Sequence, residues 1–452
     1  REMKTPNPVA MSDFVDYSKY FIRTYFTPVS EQIVFSTSDW LDKSSYDGKR
    51  KRVLLNLRNK TQTVDTKIVS CKSFLKDEGY PTFKYPRGIY SYTDESKAIM
   101  GPFINAADKA TFNGEHTKKW FVKGSDPTTW PQRLQELFGD KSVIESDFTA
   151  FEAHMRDGFA EVVHYWLMHM LRRSSTNAIR RIISRMMKGF NVMEFKHLTT
   201  FVKQRLMSGA LWTSSGNGVL NLMIMSYLYM RSKYPEMSFR DLADRAQNEF
   251  KGLFEGDDGI SIHTEIPQSL IDDLGLNLKF EKHDSYHDAN FCGITCPKPE
   301  EGYASSIVTD PIEVMRKFFF LPIKYGDSSR RRKQLLRAKA MSYLHLYSNV
   351  PIISELCFKV CDETRAYAEN FQKPIMSETN GWYRNFISEG CEKHRQLRST
   401  GPPTRQFAAD HPMRSCISKH FGIPADLQIE LERQIASSKG TICLDLQRHQ
   451  KM

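Results

Sequence analysis

The spacing of apolar and polar residues changes period several times along the chain, and each change marks an element. VIESDF, residues 143–148, reads as a short buried strand, and the next segment places Phe159, Val162, Val163, Trp166, Met170 and Leu171 at helical spacing, a stripe of core residues. A basic helix follows from Asn177 to Lys188 and ends at Gly189. A second helix is predicted over about 214–231, with Leu220, Ile224 and Leu228 on one side. Two apolar-alternating runs, 250–255 and 260–263, flank Gly256, Asp257, Asp258 and Gly259. An Asp-Gly step between such runs predicts a tight β-hairpin with its carboxylates at the tip. Beyond residue 300 the pattern is mostly helical and includes the basic run SSRRRKQLLRAKA at 328–340.

Gly and Pro punctuate the chain near 79–88, 124–131, 297–302 and 400–404, without internal repeats or low-complexity tracts, so a continuously folded chain is expected. With 452 residues and 40% hydrophobic content it can bury a substantial core in two to four packing units. The longest apolar run, 219–230, is interrupted by Asn221 and falls short of the ~20 apolar residues that a membrane span needs. The opening REMKTPNPV has neither an initiator Met nor a signal-peptide pattern, which reads as a segment of a larger protein.

Charge narrows the class of partner. Lys and Arg number 64 against 53 Asp and Glu, a net charge of +11, and such a balance favours a polyanion, either nucleic acid or an anionic membrane surface. The arginines of the 177–188 helix fit an RNA-facing surface and a solvated helix face equally well. The eight cysteines are too scattered for a disulfide scaffold, which points to a reducing compartment. Cys357 with Cys361, and Cys391 with His394, have spacings that metal ligands use, but neither pair has the spacing of a zinc knuckle, so buried thiols are expected.

Against this basic background the acidic turn FEGDDGISI, residues 254–262, needs an explanation. Asp and Gly are ordinary turn formers, which suffices for the turn alone. The strand ending at Asp147, within ESDFTAFEAH, can however deliver a third carboxylate beside Asp257 and Asp258. Three such anions in a low-dielectric cleft repel by several kcal/mol unless they protonate or share divalent cations. Oxygen-only ligands suit Mg²⁺, and paired ions of this kind serve in-line phosphoryl transfer. The basic chain then supplies a groove for a polyanion and the carboxylates the point where a phosphate reacts.

In order along the chain, the motifs resemble those of viral RNA-dependent RNA polymerases of positive-strand RNA viruses, with a pattern similar to the tombusvirus, nodavirus and flavivirus-like group. Asp147 with Glu152 resembles the first palm motif, SGALWTSSGN at 208–217 the second, and GDD at 256–258 the third. SFLKDEGYPTFKYPRGI at 73–89 is similar to the basic fingers motif, with Lys76 and Arg87 at its cationic positions. GLNLKFEKHDSYHDANFCG at 275–293 resembles the fourth and fifth motifs, with Lys279 before Glu281 and Phe291-Cys292-Gly293 at its end.

The resemblance implies an α+β right-hand fold: fingers at 1–140, palm at 141–156 and 201–296, connecting fingers and palm helices at 157–200, and a helical thumb at 297–452, closing an encircled tunnel. It implies two Mg²⁺ (or Mn²⁺) ions on Asp147, Asp257 and Asp258, and a triphosphate clamped by Lys76 and Arg87. Lys279 is the candidate general acid for the leaving pyrophosphate, with Lys282 as its substitute. Ser208 and Gly209 are expected to form a flexible template-lining loop with free backbone N–H groups, or alternatively a simple N-capping loop. Thr213 and Asn217, one turn apart, would reach the ribose of the incoming nucleotide. Glu152 departs from the family's usual Asp and is one methylene longer, which puts its ribose contact in doubt. RNA template and product and nucleoside triphosphates are the implied partners. Other replication proteins and the host membrane would be reached through regions outside this chain, in replication complexes in the host cytoplasm. A reverse transcriptase and a noncatalytic RNA-binding scaffold are the competing readings. The first usually lacks the Ser-Gly, Thr, Asn pattern, and the second keeps a basic groove but does no chemistry.

Overall fold

The structure, a computed structural model, describes residues 4–44, 46, 48–60, 70–76, 85–149, 151–203, 207–298, 306–319, 329–368, 381–399 and 407–438. The fold is mixed α+β, and its strands in chain order are β1 (Ser70–Leu75), β2 (Gly88–Tyr92), β3 (Val143–Phe148), β4 (Phe190–Glu194), β5 (Thr199–Lys203), β6 (Gly252–Glu255), β7 (Asp258–Ile262) and β8 (Leu278–His283). The chain divides into two compact units.

The first unit comprises Arg1–Lys43, Lys49–Lys123 and Asp140–Asp284 and holds both sheets. One four-stranded sheet runs β2-β1-β4-β5, with a parallel β1–β4 pair at its centre. The other runs β6-β7-β3-β8 and is antiparallel throughout. In the second sheet the alternation of a strand sends Ile144 and Phe148 to one face, where they join Phe254 and Leu278 in the main hydrophobic core. The apolar stripe anticipated from Phe159 to Leu171 enters the same core from the Asp157–Met170 helix.

The Thr213–Lys233 helix departs from the one-sided pattern expected of it. Every residue from Ser215 to Met230 is buried, including Asn217, Asn221 and Ser226, as befits a helix enclosed on all sides. Its packing partners are the second sheet and the helices Pro8–Tyr25, Asp157–Met170 and Phe239–Glu249. The Asn177–Lys188 helix is amphipathic: Thr176 caps its start by accepting from Ile179, Ile182 and Met186 are buried, and Arg181 and Arg185 are exposed.

The second unit comprises Ser44–Gly48, Gly124–Gly139 and Ser285–Met452, and its described residues are predominantly helical. In its basic run Arg330, Arg332 and Lys333 are exposed. Arg337 is buried and donates to the Cys361 carbonyl at 2.7 Å, while Lys339 donates to the carbonyls of Lys317 and Phe318 at the end of the Pro311–Phe318 helix. Cys357 and Cys361 are buried, and burial pushes the Cys357 thiol well up, so it is an inert thiol. Among the described residues no helix is long and apolar enough to cross a membrane.

Candidate active site

The acidic turn is a two-residue loop rather than one centred on the Asp-Gly step. Gly256 and Asp257 form the loop, Glu255 pairs with Asp258, and Asp258 is already the first residue of β7. Gly256 has φ +62°, the left-handed value that the first loop position of a type II′ hairpin demands. Gly259 is glycine for a different reason: a Cβ there would lie 2.9 Å from the Phe254 ring and 2.9 Å from Ser146 Oγ. Without that side chain β7 can lie close against β3.

The β3–β7 ladder runs from Val143 opposite Ile262 to Ser146 opposite Gly259, so one further step brings Asp147 alongside Asp258, about 5 Å away between backbones. On the other side of β3, Asp147 pairs with Lys279 of β8. Glu255, Asp258, Asp147 and Lys279 therefore form a row across the four strands, with Asp257 at the turn beside it. Directly opposed residues share a face of a sheet. Lys282 pairs with Ile144, which puts it on the opposite face from Asp147, where it meets Glu265 at 3.7 Å. The period of two thus separates the two candidate acids: Lys279 faces Asp147 and Lys282 does not.

A polar network beneath the turn went unread in the sequence. Lys123 Nζ donates to Ser214 Oγ at 2.7 Å and to Glu255 Oε1 at 3.0 Å, and Ser214 donates to the same carboxylate at 3.2 Å. Asn221, which registers in the sequence only as a break in an apolar run, donates to the carbonyl of Asp257 at 2.9 Å. Burial raises the Asp108 carboxyl to about 6, opposed by a hydrogen bond from Ser215 and by the charge of Lys123. Ser214 and Ser215 lie inside the 208–217 motif without being singled out by it, whereas Lys123 carries no local signal at all.

Ser208 and Gly209 are docked, not free. The Gly209 N–H donates to the Tyr90 carbonyl at 3.0 Å, Ser208 Oγ donates to the Gly88 carbonyl at 3.1 Å, and a Cβ on Gly209 would come within 2.9 Å of the Tyr90 oxygen. The Gly209 N–H, expected to be free, is instead engaged in this seam with β2, and no side chain caps the following helix at Trp212. Thr213 Oγ1 donates back to the Met207 carbonyl at 2.7 Å, and Asn217 is buried with its Oδ1 unpaired among the described residues. Lys76 and Arg87 are exposed and face each other across the β1–β2 hairpin, where the Lys76 N–H donates to the Arg87 carbonyl at 2.8 Å. Glu152 lies half-buried in a 3₁₀ turn, Phe151–His154, a few residues beyond Asp147.

Among the described residues, the group whose ligand atoms converge within 4.8 Å of one another is Glu145, Glu281 and His283. His283 Nε2 lies 2.7 Å from Glu145 Oε1. Asp147, Asp257 and Asp258 share the row and the turn without converging so closely. Their all-oxygen donor set, on two paired strands and a rigid turn, fits hard divalent cations.

A family model described as viral RNA-dependent RNA polymerase matches residues 97–352, which include the whole acidic row, the turn and the Thr213–Lys233 helix. The chain belongs to the viral RNA-dependent RNA polymerases, and it is an RNA-directed RNA polymerase, a nucleotidyltransferase. No curated protein matches the chain significantly.

Proposed function

We propose that the chain extends an RNA 3′-OH on an RNA template by two-metal nucleotidyl transfer, with the β6-β7-β3-β8 sheet as the palm of a right hand. The observation that carries this reading is the register that sets Asp147 beside Asp258 and opposite Lys279. In this assignment Asp147, Asp257 and Asp258 hold two Mg²⁺ or Mn²⁺ ions. When bound, the ions supply charge neutralisation at the reacting phosphate and a more acidic 3′-OH.

The chain's own residues do the rest. Lys76 and Arg87, opposed on one hairpin, grip the triphosphate, Arg by a planar fork and Lys by a point charge. Lys279 delivers a proton to the leaving pyrophosphate. The buried Asn217, with an acceptor left open, and Thr213 one turn before it line the ribose pocket with Glu152. Ser208 and Gly209, sewn to β2, hold the template path against that hairpin. The β2-β1-β4-β5 sheet belongs to the fingers and the mostly helical residues beyond 297 to the thumb, in an encircled hand like that of the tombusvirus, nodavirus and flavivirus group. The work is done in cytoplasmic replication complexes that other proteins join to the membrane.

The test is extension of a primed RNA template of defined sequence. Asp257→Ala abolishes extension and leaves RNA binding intact, and rNTPs are used in preference to dNTPs. Undiminished extension by Asp257→Ala refutes the assignment.

A further inference from the structure

The two carbonyls of the Gly256-Asp257 loop lie outside the β6–β7 ladder, which closes at Glu255 and Asp258. The Gly256 carbonyl is buried and the Asp257 carbonyl partly so, and a buried backbone carbonyl left without a donor costs on the order of 1–3 kcal/mol. Both are met by one side chain. Asn221 Nδ2 donates to the Asp257 carbonyl at 2.9 Å and to the Gly256 carbonyl at 3.4 Å.

Asn221 is fully buried and sits in the middle of the enclosed Thr213–Lys233 helix, one turn beyond Asn217. Its own acceptor, Oδ1, has no partner among the described residues. A buried amide retained only for packing would be satisfied at both ends or replaced by an apolar residue of the same shape. Here the acceptor is left unpaired while the amide nitrogen donates to both loop carbonyls, so the gain lies at the donor end. Fixing those two carbonyls fixes the peptide planes on either side of Asp257, and with them the directions in which the Asp257 and Asp258 side chains leave the backbone. A displacement of ~1 Å at a reacting centre can cost about a hundredfold in rate.

We propose that Asn221 is a positioning residue for nucleotidyl transfer: it locks the loop so that Asp257 and Asp258 present their carboxylates to the metals. This rests on the function proposed above and adds a residue that touches neither substrate nor metal. The experiment compares Asn221→Leu and Asn221→Ser with Ser226→Ala. Ser226 lies on the same helix, is equally buried and bonds to Tyr17 at 2.9 Å instead of to the loop. Primed-template extension gives kcat and the KM for NTP, and electron paramagnetic resonance gives the affinity for Mn²⁺ without any turnover.

Asn221→Leu is expected to lower kcat by about 10- to 100-fold with KM nearly unchanged, and to weaken Mn²⁺ binding by about fivefold or more. Asn221→Ser, which keeps a donor, falls between Leu and wild type. It also decides the matter by the same readouts if the Leu variant does not fold. Ser226→Ala lowers stability and leaves kcat and Mn²⁺ binding in place. A folded Asn221 variant with kcat and Mn²⁺ affinity within twofold of wild type overturns the proposal, as does an equal loss in Ser226→Ala. A wild-type chain that binds Mn²⁺ through Asp257 and extends no primer refutes the polymerase reading instead, and the Mn²⁺ measurements alone then decide the role of Asn221.

Discussion

Lys279 stands directly opposite Asp147 on the β3–β8 ladder, so an ammonium and a carboxylate occupy neighbouring positions on one sheet face. Side chains so opposed have Cβ atoms about 5 Å apart. Lys282, three residues along, takes the other face. If Lys279 donates the proton to pyrophosphate, Lys279→Met lowers the rate of single-nucleotide incorporation by about 10²-fold, the usual range for loss of a general acid. Lys282→Met leaves it within about twofold. Rapid-quench incorporation measures the difference, and equal losses in the two variants would show that charge alone is at stake.

The two glycines that flank the aspartates fail in different ways when given a side chain. Gly259→Ala drives a methyl to 2.9 Å from both the Phe254 ring and Ser146 Oγ, which forces β7 away from β3. Overpacking of that kind costs about 1–3 kcal/mol and here also separates Asp258 from Asp147. Gly256→Ala meets no close atom, and costs only what a side chain at its φ of +62° imposes, about 1–3 kcal/mol. Urea denaturation should therefore show a loss for both, while incorporation falls further than stability alone explains in Gly259→Ala, which moves Asp258 away from Asp147.

Local patterns in the sequence were enough to find the β3 strand, the hairpin and the Asn177–Lys188 helix, because period and turn chemistry are short-range properties, whereas Lys279 entered only through the resemblance of its motif and Glu255 was not singled out. Three features were not readable that way. The Thr213–Lys233 helix looked one-sided because Asn217, Asn221 and Ser226 are polar, yet those polar groups are buried and two of them hold partners far away in the chain, the Gly256-Asp257 loop and Tyr17. The Ser208-Gly209 seam depends on the neighbouring β2 strand, which no local pattern reveals. Lys123 reaches Glu255 only because the fold brings them together. The choice between Lys279 and Lys282 likewise needed the register of β8 against β3.

In the helical unit, Arg414 and Glu432 form an ion pair with side chains 2% and 0% exposed, at 2.7 Å. Glu432 also accepts from the Ile352 N–H at 3.0 Å, and Arg414 donates to the Phe407 and Ala408 carbonyls. Ile352 has φ +69°, so this bond holds a residue that is strained on its own. Burial pushes the Glu432 carboxyl up, and the Arg414 hydrogen bond opposes it. Removing one partner leaves the other charge buried and unpaired, so Arg414→Met and Glu432→Leu should each cost about 3–5 kcal/mol, whereas the two together cost less than the sum. Chemical denaturation of the three variants tests the coupling, and strict additivity would refute it.

Acid and neutral pH should stress the first unit through two different groups. Burial lowers the His164 imidazole from 6.5 to about 4, with Lys188 and Lys19 adding to the shift and Glu161 opposing it, and the ring pairs with Ser184 Oγ at 2.9 Å. Its folded value lies below its unfolded one, so its contribution is complete above 6.5 and is lost as pH falls towards 4. Asp108 has the opposite sign. Its carboxyl is raised from 3.8 to about 6, so the stability it contributes is present below 3.8 and is lost as pH rises through about 6. His164→Gln should therefore remove part of the acid-side loss of Tm, and Asp108→Asn should raise Tm at neutral pH while changing little in acid. The His164 effect is smaller than its shift suggests, because the ring is only partly buried and solvent screens it. Tm measured from pH 4 to 8 for the two variants tests both signs, and a change in the same direction on the same side of the profile for both would contradict the assignment of these shifts.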